Sequence, residues 1–214
     1  MSRPRLLDLF CGAGGAAVGY YRAGFDVVGV DIKPQPRYPF TFVQADAMTC
    51  PLDGFDALHA SPPCQRYSKS VSKSNRGNHP DLIGPTRERL EAAGVPWIIE
   101  NVPGAPLLDP IVLCGSMFGL GVRRHRLFES DYDIPAPGPC RHEDYEPKYP
   151  PAWNRKNLLR FVAVSGGWSN VPHTEAQKAM GIDWMTASEL SESIPPAYTE
   201  HIGQWLIRAI AVAA

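Results

Sequence analysis

A single cysteine, Cys64, stands where an apolar run meets two prolines, in the sequence Ala-Ser-Pro-Pro-Cys-Gln at positions 60–65. Proline fixes its own φ and restricts the residue before it, so the pair should end a buried strand over residues 55–60 and hold the thiol at its carboxyl end. Open α/β sheets bind their ligands at that end. Cys64 is therefore either a nucleophile, if its surroundings lower the thiol pKa, or a small packing residue beside a turn.

Three charged residues could share a site with such a thiol. Glu100 follows the apolar run at 95–99, whose strand would place the carboxyl group across the same cleft as Cys64. Burial there would favour the protonated acid. Residues 124–128 alternate as a strand does, with Arg124 and Arg126 on one face and His125 on the other. Two arginines on one face indicate a phosphate, a carboxylate or a solvated edge.

The elements that must position these residues begin with a glycine-rich turn. Residues 6–10 should form a buried strand, 16–23 a helix and 26–30 a second strand that ends at Asp31. Gly12, Gly14 and Ala17 satisfy G-x-G-x-x-A, and an acid about twenty residues later can bind ribose hydroxyls. This turn predicts an adenosine-containing ligand. It leaves open whether that ligand is a dinucleotide.

Further along the chain, the elements alternate between strands and polar connections. Asp46 follows a third strand at 40–44 and either binds an adenine amino group or caps a turn. The basic stretch 65–78 should be a mobile loop beside the thiol that could close over a substrate and contact phosphates. Helices are predicted at 80–93 and 197–213, and a late strand at 161–165.

Composition limits the protein classes. With 214 residues and 44% hydrophobic content the chain should form one domain, and its net charge of −1 excludes binding of polyanions through global charge. Five cysteines without a C-x-x-C pair indicate reduced thiols rather than a disulfide framework. The N-terminus has no signal-peptide pattern and no apolar run has membrane-spanning length, so we expect a soluble cytoplasmic protein.

Several motifs, in this order, resemble the conserved blocks of the cytosine-C5 DNA methyltransferases. They are LDLFCGAGG at 7–15, Asp31, Asp46, SPPCQ at 61–65, ENV at 100–102 and Arg124-x-Arg126. The resemblance implies an α/β Rossmann-like fold for S-adenosylmethionine-dependent methyl transfer, with a mostly parallel sheet and helices on both faces. It also indicates a compact member similar to phage-type enzymes, in which case the cytoplasm would be that of the host.

The resemblance implies roles for individual residues. Cys64 would add to C6 of cytosine, Glu100 would bind N3, Arg126 would support O2, and Arg124 would support the backbone or the cysteine loop. Duplex DNA with the target cytosine flipped out is the implied substrate. The residues expected to bind S-adenosylmethionine are Phe10, Cys11, Gly12, Gly14, Gly15, Asp31, Ile32, Asp46, Ala47, Pro62 and Ser193.

The resemblance weakens towards the C-terminus. Glutamine is usual where this chain has Val122, and Ser191-Glu192 replaces the usual Gly-Asn before Ser193. We expect a cofactor-binding and catalytic core at 1–128, a proline-rich and reduced target-recognition element at 129–160, and a strand and helix at 161–214 that complete the core. The basic residues available for phosphates in the short element are Arg141, Lys148, Arg155 and Lys156.

One weak metal pattern occurs in the short element. Cys140-x-His142 has two potential ligands, but the sequence shows no two obvious further ones, so we predict no metal site.

Alternative functions remain open at this point. The same chemistry could act on RNA or on a free cytosine nucleotide, or the donor could be a modified S-adenosylmethionine. The chain could instead be an S-adenosylmethionine-binding partner subunit with little activity alone, although Cys64 and Glu100 would then have no use. A nicotinamide dehydrogenase would fit the glycine turn but would not explain PPCQ and ENV. A protein partner or a second copy of the chain could supply target recognition.

Overall fold

The computed structural model describes residues 2–68, 71–142, 145–147, 159–162, 164 and 171–213. The strands are β1 Arg5–Leu9, β2 Asp26–Asp31, β3 Thr41–Gln44, β4 Ala57–Ala60, β5 Trp97–Asn101, β6 Ile111–Leu113, β7 Arg126–Ser130, β8 Tyr145–Pro147 and β9 Leu159–Phe161. The helices are α1 Gly15–Ala23, α2 Lys73–Arg76, α3 Ile83–Ala92, α4 His173–Met180, α5 Ala187–Glu192 and α6 Pro196–Ala213, with a 3₁₀ helix at Gly115–Phe118.

Seven of the strands form one sheet in the order β3-β2-β1-β4-β5-β7-β6. Strands β1 to β5 are mutually parallel, and β7 is antiparallel to both of its neighbours. β8 and β9 form a separate parallel pair. The predicted Rossmann-like fold with a mostly parallel sheet is confirmed.

Apolar side chains at successive positions of β1 reach opposite faces of the sheet. Leu6 packs with Tyr20 of α1 and Leu206 of α6, whereas Leu7 packs with Leu90 of α3 on the other face. Parallel strands that are covered on both faces need continuous apolar sequences, which is why these strands could be predicted from hydrophobic runs alone. Helices therefore lie on both faces of the sheet, as expected.

The C-terminal third of the chain adds a third hydrophobic cluster. Val162 forms an isolated bridge to Val122, and both pack with Met180 of α4 and Leu190 of α5. The strand expected at 161–165 is only partly matched, since β9 ends at Phe161, and Ala163 and Ser165 lie outside the described residues.

Two other predicted elements differ from the structure. β7 begins at Arg126, so Arg124 and His125 precede the strand and do not alternate within it. Within the basic stretch 65–78, the described residues (65–68 and 71–78) form one short helical turn, α2, and are otherwise irregular. No helix of the described part of the chain is long and apolar enough to cross a bilayer.

Candidate active site

The candidate site lies at the carboxyl ends of β1 and β4, which are neighbours at the centre of the sheet. The chain leaves β1 towards β2 on one side, while β4 and β5 lie on the other side, so the strand order reverses here. Open α/β sheets bind ligands in the crevice at such a reversal. The turn at 10–15 and the segment at 61–64 therefore border one crevice.

The turn after β1 has the backbone of a ligand-binding loop. Phe10, Gly12 and Gly14 have φ values of 56°, 50° and 84°, in the left-handed region that a non-glycine residue such as Phe10 rarely adopts. Gly15 is packed so tightly that an added Cβ would lie 1.9 Å from Oγ of Ser193. Ser193, which the sequence predicted at the cofactor site, thus contacts the start of α1, and Cys11 is buried within the turn.

The first predicted acid shapes the same turn. The Asp31 carboxylate accepts hydrogen bonds from the backbone N–H groups of Gly12 (3.0 Å) and Lys33 (2.9 Å). The next residue, Ile32, exposes 65% of its surface. An exposed apolar side chain beside a carboxylate suits the base and ribose of an adenosine ligand.

The second predicted acid lies in a turn after β3. Oδ1 of Asp46 accepts a hydrogen bond from the backbone N–H of Met48 at 2.8 Å, and the Asp46 side chain is exposed. Ala47 beside it is buried. Asp46 therefore caps a turn, which was one of its two predicted roles. Its contact with adenine stays a prediction.

Cys64 follows the end of β4, and Glu100 lies near the end of the adjacent parallel strand β5. The two segments are joined because Nδ2 of Asn101 donates a hydrogen bond to the carbonyl oxygen of Pro62 at 2.9 Å. Pro62 is buried and Cys64 is half-buried. The ENV and PPC motifs thus meet in space, and Asn101 fixes the loop that presents the thiol.

Glu100 forms a buried ion pair with one of the two arginines. Nε of Arg126 lies 3.1 Å from Oε1 of Glu100, whose exposed fraction is 7%. Burial raises the pKa of Glu100 above its usual value, and the charge of Arg126 opposes that rise. Desolvation is the larger influence, so the site favours the protonated acid more than an exposed glutamate does.

The Cys64 thiol responds to the same charges. Burial raises its pKa, the Glu100 carboxylate raises it further, and the charges of Arg126 and Arg124 lower it. Protonation of Glu100 would remove the unfavourable charge and leave the two arginines. Thiolate formation at Cys64 is thereby coupled to the protonation state of Glu100.

Behind Glu100 runs a buried hydrogen-bonded chain that the sequence analysis missed. Tyr20 Oη lies 2.9 Å from Nδ1 of His59, and Nε2 of His59 lies 2.9 Å from Oγ of Ser61. Ser61 in turn hydrogen-bonds to Glu100 and lowers the pKa of that carboxyl group. His59 is fully buried, which lowers its pKa to about 3 and keeps the imidazole neutral.

The hydrogen-bond partners assign a direction to this chain. Because the Ser61 hydroxyl donates its hydrogen to Glu100, its oxygen must accept a hydrogen bond from Nε2–H of His59. Nδ1 of His59 then accepts a hydrogen bond from the Tyr20 hydroxyl. A histidine in the middle of an apolar strand was the available signal in the sequence. Because Ser61 is two positions after His59, just beyond the end of β4, the two side chains lie on the same side of the sheet.

Arg124 contacts backbone, which is one of the two roles that the resemblance implied for it, whereas Arg126 contacts Glu100. The Arg124 guanidinium donates to the carbonyl oxygens of Val164 (2.6 Å) and Ser191 (2.7 Å), and its own carbonyl accepts from Tyr198 Oη. Burial lowers the pKa of Arg124 to about 9, and the charge of Arg126 contributes, which still leaves Arg124 protonated at neutral pH. Because Arg124 precedes β7, it turns towards the C-terminal segment and supports that backbone.

Another buried carboxyl group, missed in the sequence, lies in β1. Asp8 is fully buried, Oδ2 accepts a hydrogen bond from Tyr38 Oη at 3.4 Å, and Oδ1 has no hydrogen-bond partner among the described residues. Burial raises the pKa of Asp8 to about 8. The ring of Tyr38 also packs against Gly14, so this connector residue covers the turn.

The prediction that the chain has no metal site stays untested, but the structure places two further potential ligands beside Cys140 and His142. Cys140 and His142 meet Cys114 and His125, and the four potential ligand atoms lie within 4.8 Å of one another. The sequence did not show the last two as ligands because they are distant along the chain. Of the four basic residues predicted to contact phosphates in segment 129–160, Arg141 is exposed, and the structure does not describe Lys148, Arg155 and Lys156.

The chain has relatives among methyltransferases, although no protein-family model matches it. M.NgoMIV, a type II methyltransferase of Neisseria gonorrhoeae, is 33% identical over 117 residues. The aligned part is 49% of this chain and 36% of that protein, so the chain covers only about a third of the relative's length.

Solved structures match over nearly the whole chain. A protein described as a DNA modification methyltransferase encoded within an E. coli prophage gives a TM-score of 0.63 at 17% identity, covering 97% of this chain and 99% of that one. The methyltransferase EhMeth of Entamoeba histolytica gives 0.62 at 13% identity, covering 98% and 99%. Dnmt2 of S. pombe gives 0.58 at 13% identity, covering 97% and 99%. The chain therefore has the Rossmann-like fold of these methyltransferases.

Proposed function

We propose that this chain transfers a methyl group from S-adenosylmethionine to C5 of cytosine in DNA. The observation that carries the proposal is the convergence of Cys64, Glu100 and Arg126 at the ends of adjacent strands beside a glycine-rich turn. A thiol, a buried acid and a cation are the groups needed to activate a cytosine ring. The relative M.NgoMIV and the prophage protein, both described as methyltransferases, support this chemistry.

The crevice fits S-adenosylmethionine. The left-handed turn at Phe10, Gly12 and Gly14 exposes backbone groups to a ligand, and exposed Ile32 suits one face of an adenine. Asp31 would hold the ribose and Asp46 the adenine amino group. The remaining contacts would come from Cys11, Gly15, Ala47, Pro62 and Ser193. When bound, this cofactor supplies an electrophilic methyl group on a sulfonium.

Cys64 overcomes the weak nucleophilicity of C5. The thiol gives up its proton and its sulfur forms a covalent bond to C6, which moves electron density onto C5. C5 would then take the methyl group as the sulfonium–methyl bond breaks to leave a neutral thioether, and the C5 proton would pass to water or another base. Cys64 departs by elimination, which restores the aromatic ring and the free enzyme.

Glu100 stabilises the negative charge that develops on the ring. In its protonated form it donates a hydrogen bond to N3, and its second oxygen accepts one from the exocyclic amine. The raised pKa of Glu100 favours that form, and the chain from Tyr20 through His59 and Ser61 holds the side chain in place. Arg126 lies beside Glu100 and would support O2 of the base.

The substrate must present an unpaired cytosine, because the reacting atoms of a base in a duplex are inaccessible. Flipping the target into the crevice satisfies this requirement. The basic stretch 65–78 borders the thiol and carries exposed Lys73, which suits a phosphate contact. Since the element at 129–160 is short, a protein partner or a second copy of the chain would contribute to target recognition.

A labelling experiment tests the proposal. The purified protein is incubated with S-adenosylmethionine labelled in the methyl group and with duplex DNA, single-stranded DNA, RNA or dCMP, followed by nucleoside analysis. We expect label in 5-methyldeoxycytidine from duplex DNA, and none with Cys64→Ser.

The other outcomes separate the alternatives. Label only in RNA or only in dCMP would overturn the choice of DNA. Binding of S-adenosylmethionine without transfer to any substrate would indicate a partner subunit. Binding of NAD in place of S-adenosylmethionine would overturn the whole proposal.

A further inference from the structure

Four side chains with metal-binding atoms converge outside the candidate active site. Sγ of Cys140 lies 2.7 Å from Nε2 of His142 and 3.4 Å from Nε2 of His125. Sγ of Cys114 lies 3.2 Å from Nε2 of His142. The ring centroids of His125 and His142 are 4.7 Å apart and the rings are inclined at 66°, so the edge of one ring lies against the face of the other. All four ligand atoms thus surround one point.

These distances agree with a tetrahedral centre. With zinc–sulfur bonds of about 2.3 Å and zinc–nitrogen bonds of about 2.05 Å, neighbouring ligand atoms in a tetrahedron are about 3.5 Å apart. The three sulfur–nitrogen separations given above, 2.7, 3.2 and 3.4 Å, lie slightly below that value, and no pair of ligand atoms is more than 4.8 Å apart. Two cysteines and two histidines form one of the common donor sets of structural zinc sites, and zinc prefers this mixture of sulfur and nitrogen.

We propose that Cys114, His125, Cys140 and His142 bind one zinc ion that has a structural role. Four protein ligands leave no position for a substrate or a reactive water, which distinguishes structural from catalytic zinc. The proposal rests on these side chains alone and does not depend on methyl transfer.

The ligands come from three separate segments of the chain. Cys114 follows β6, His125 precedes β7, and Cys140 and His142 lie in the irregular segment after β7. Ser116 connects two of the segments, because its Oγ lies 3.5 Å from both sulfur atoms and accepts a hydrogen bond from the backbone N–H of Arg141 at 3.2 Å. A metal here would tie the start of the short recognition element to the edge of the sheet.

The segment that carries Cys140 and His142 needs stabilisation of this kind. Between β7 and His142 the described chain has no helix or strand, and Ile134 is its one buried apolar residue. A segment that buries so little apolar surface cannot offset its conformational entropy through packing. Metal ligation supplies that stabilisation in small, poorly packed regions.

Metal analysis tests the proposal on the full-length protein. The chain is expressed with zinc in the medium, passed over a desalting column and assayed by inductively coupled plasma mass spectrometry. We expect about one zinc per chain. Replacement by Co²⁺ should give the visible absorption of a tetrahedral cobalt site together with a thiolate charge-transfer band. Less than a tenth of an equivalent of every divalent metal would overturn the proposal.

Variants locate the metal. Cys140→Ser and His125→Ala should each lower the zinc content at least tenfold, whereas Cys50→Ser and His173→Ala, which change the same residue types elsewhere, should leave it unchanged. His142→Cys replaces a nitrogen ligand by sulfur and should retain zinc, since three cysteines and one histidine also form a zinc site. Full zinc content in Cys140→Ser would contradict the assignment.

A disulfide between Cys114 and Cys140 is the competing explanation for their proximity. Mass spectrometry of the denatured, unreduced protein separates the two cases, because a disulfide lowers the mass by two hydrogen atoms. We expect five free thiols after zinc is removed with a chelator under anaerobic conditions. A disulfide in freshly prepared protein would overturn the proposal.

Discussion

Two of the cysteine-containing regions of this molecule meet at residues 125–126, because Arg126 contacts Glu100 in one and His125 belongs to the other, yet their surroundings differ. At the candidate active site one half-buried thiol, Cys64, faces a buried acid and an arginine. At the cysteine-histidine cluster two thiols and two imidazoles converge on a single point. In the proposed function the first arrangement would present a single nucleophile to a substrate, whereas in the proposed zinc site all four donor atoms of the second would bind the metal.

The difference shows that neighbouring groups, and not the cysteine itself, decide between reactivity and structure. An acid beside a thiol links its ionisation to that of the acid, as Glu100 does for Cys64. Imidazole nitrogens beside thiols complete a metal-binding set instead. Each region therefore predicts a distinct result when one sulfur is replaced by oxygen.

The largest effect is expected when each thiol is replaced in turn. Cys64→Ser should lower methyl transfer more than about 1,000-fold, because a serine hydroxyl is a much weaker nucleophile. It should keep S-adenosylmethionine affinity within a few-fold and leave zinc content and melting temperature unchanged. Cys140→Ser should lower zinc content and melting temperature. Isothermal titration, metal analysis and thermal unfolding provide the comparison, and equal activity of Cys64→Ser would exclude the covalent mechanism.

The next effect concerns two buried glutamates that both pair with an arginine. Glu100→Gln should slow methyl transfer about 100-fold, because the amide cannot supply a proton at N3. Glu129 pairs with Arg87 at 2.5 Å and also accepts from the backbone N–H of Leu108, away from Cys64. Glu129→Gln should therefore lower stability and keep the rate within a few-fold. Single-turnover rates and urea unfolding measure both, and an unchanged rate in Glu100→Gln would remove its assigned role.

A smaller and opposite pair of effects is expected for the two arginines that flank His125. Arg124→Met should destabilise the fold by about 2 kcal/mol, since two buried carbonyl groups lose a charged donor. Arg126→Met should change stability less and slow methyl transfer about tenfold, through Glu100 and the base. Unfolding midpoints and single-turnover rates separate them. The reverse pattern would show that Arg124 is the residue that acts on the substrate.

The smallest effect concerns the pH profile. The hydrogen bond from Ser61 lowers the pKa of Glu100, so Ser61→Ala should raise that pKa. Because protonated Glu100 is the proposed active form, the rate falls as pH rises through its pKa, and the falling limb should move to higher pH by less than about one unit. Rates measured from pH 4 to 9 test this shift. Movement to lower pH would mean that the ionised form is active.

Some features could be predicted from the sequence because they depend on short stretches of chain. The buried strands are continuous apolar runs, and the glycine turn follows the first of them. Cys64 follows β4, and Glu100 lies near the end of β5, which pairs with β4 in parallel. Local periodicity and the common edge of a parallel sheet were enough to predict the fold and to bring these two residues together.

Other features were decided only by the tertiary structure. The insertion of antiparallel β7 between β5 and β6 directs Arg126 towards Glu100, Arg124 towards Val164 and Ser191, and His125 towards the cysteines. The cysteine-histidine cluster joins three segments of the chain, and its most distant members in sequence, Cys114 and His142, are 28 residues apart. Such contacts depend on register and strand order rather than on local pattern, so the sequence alone predicted that Cys64 and Glu100 lie together but not the contacts that hold them.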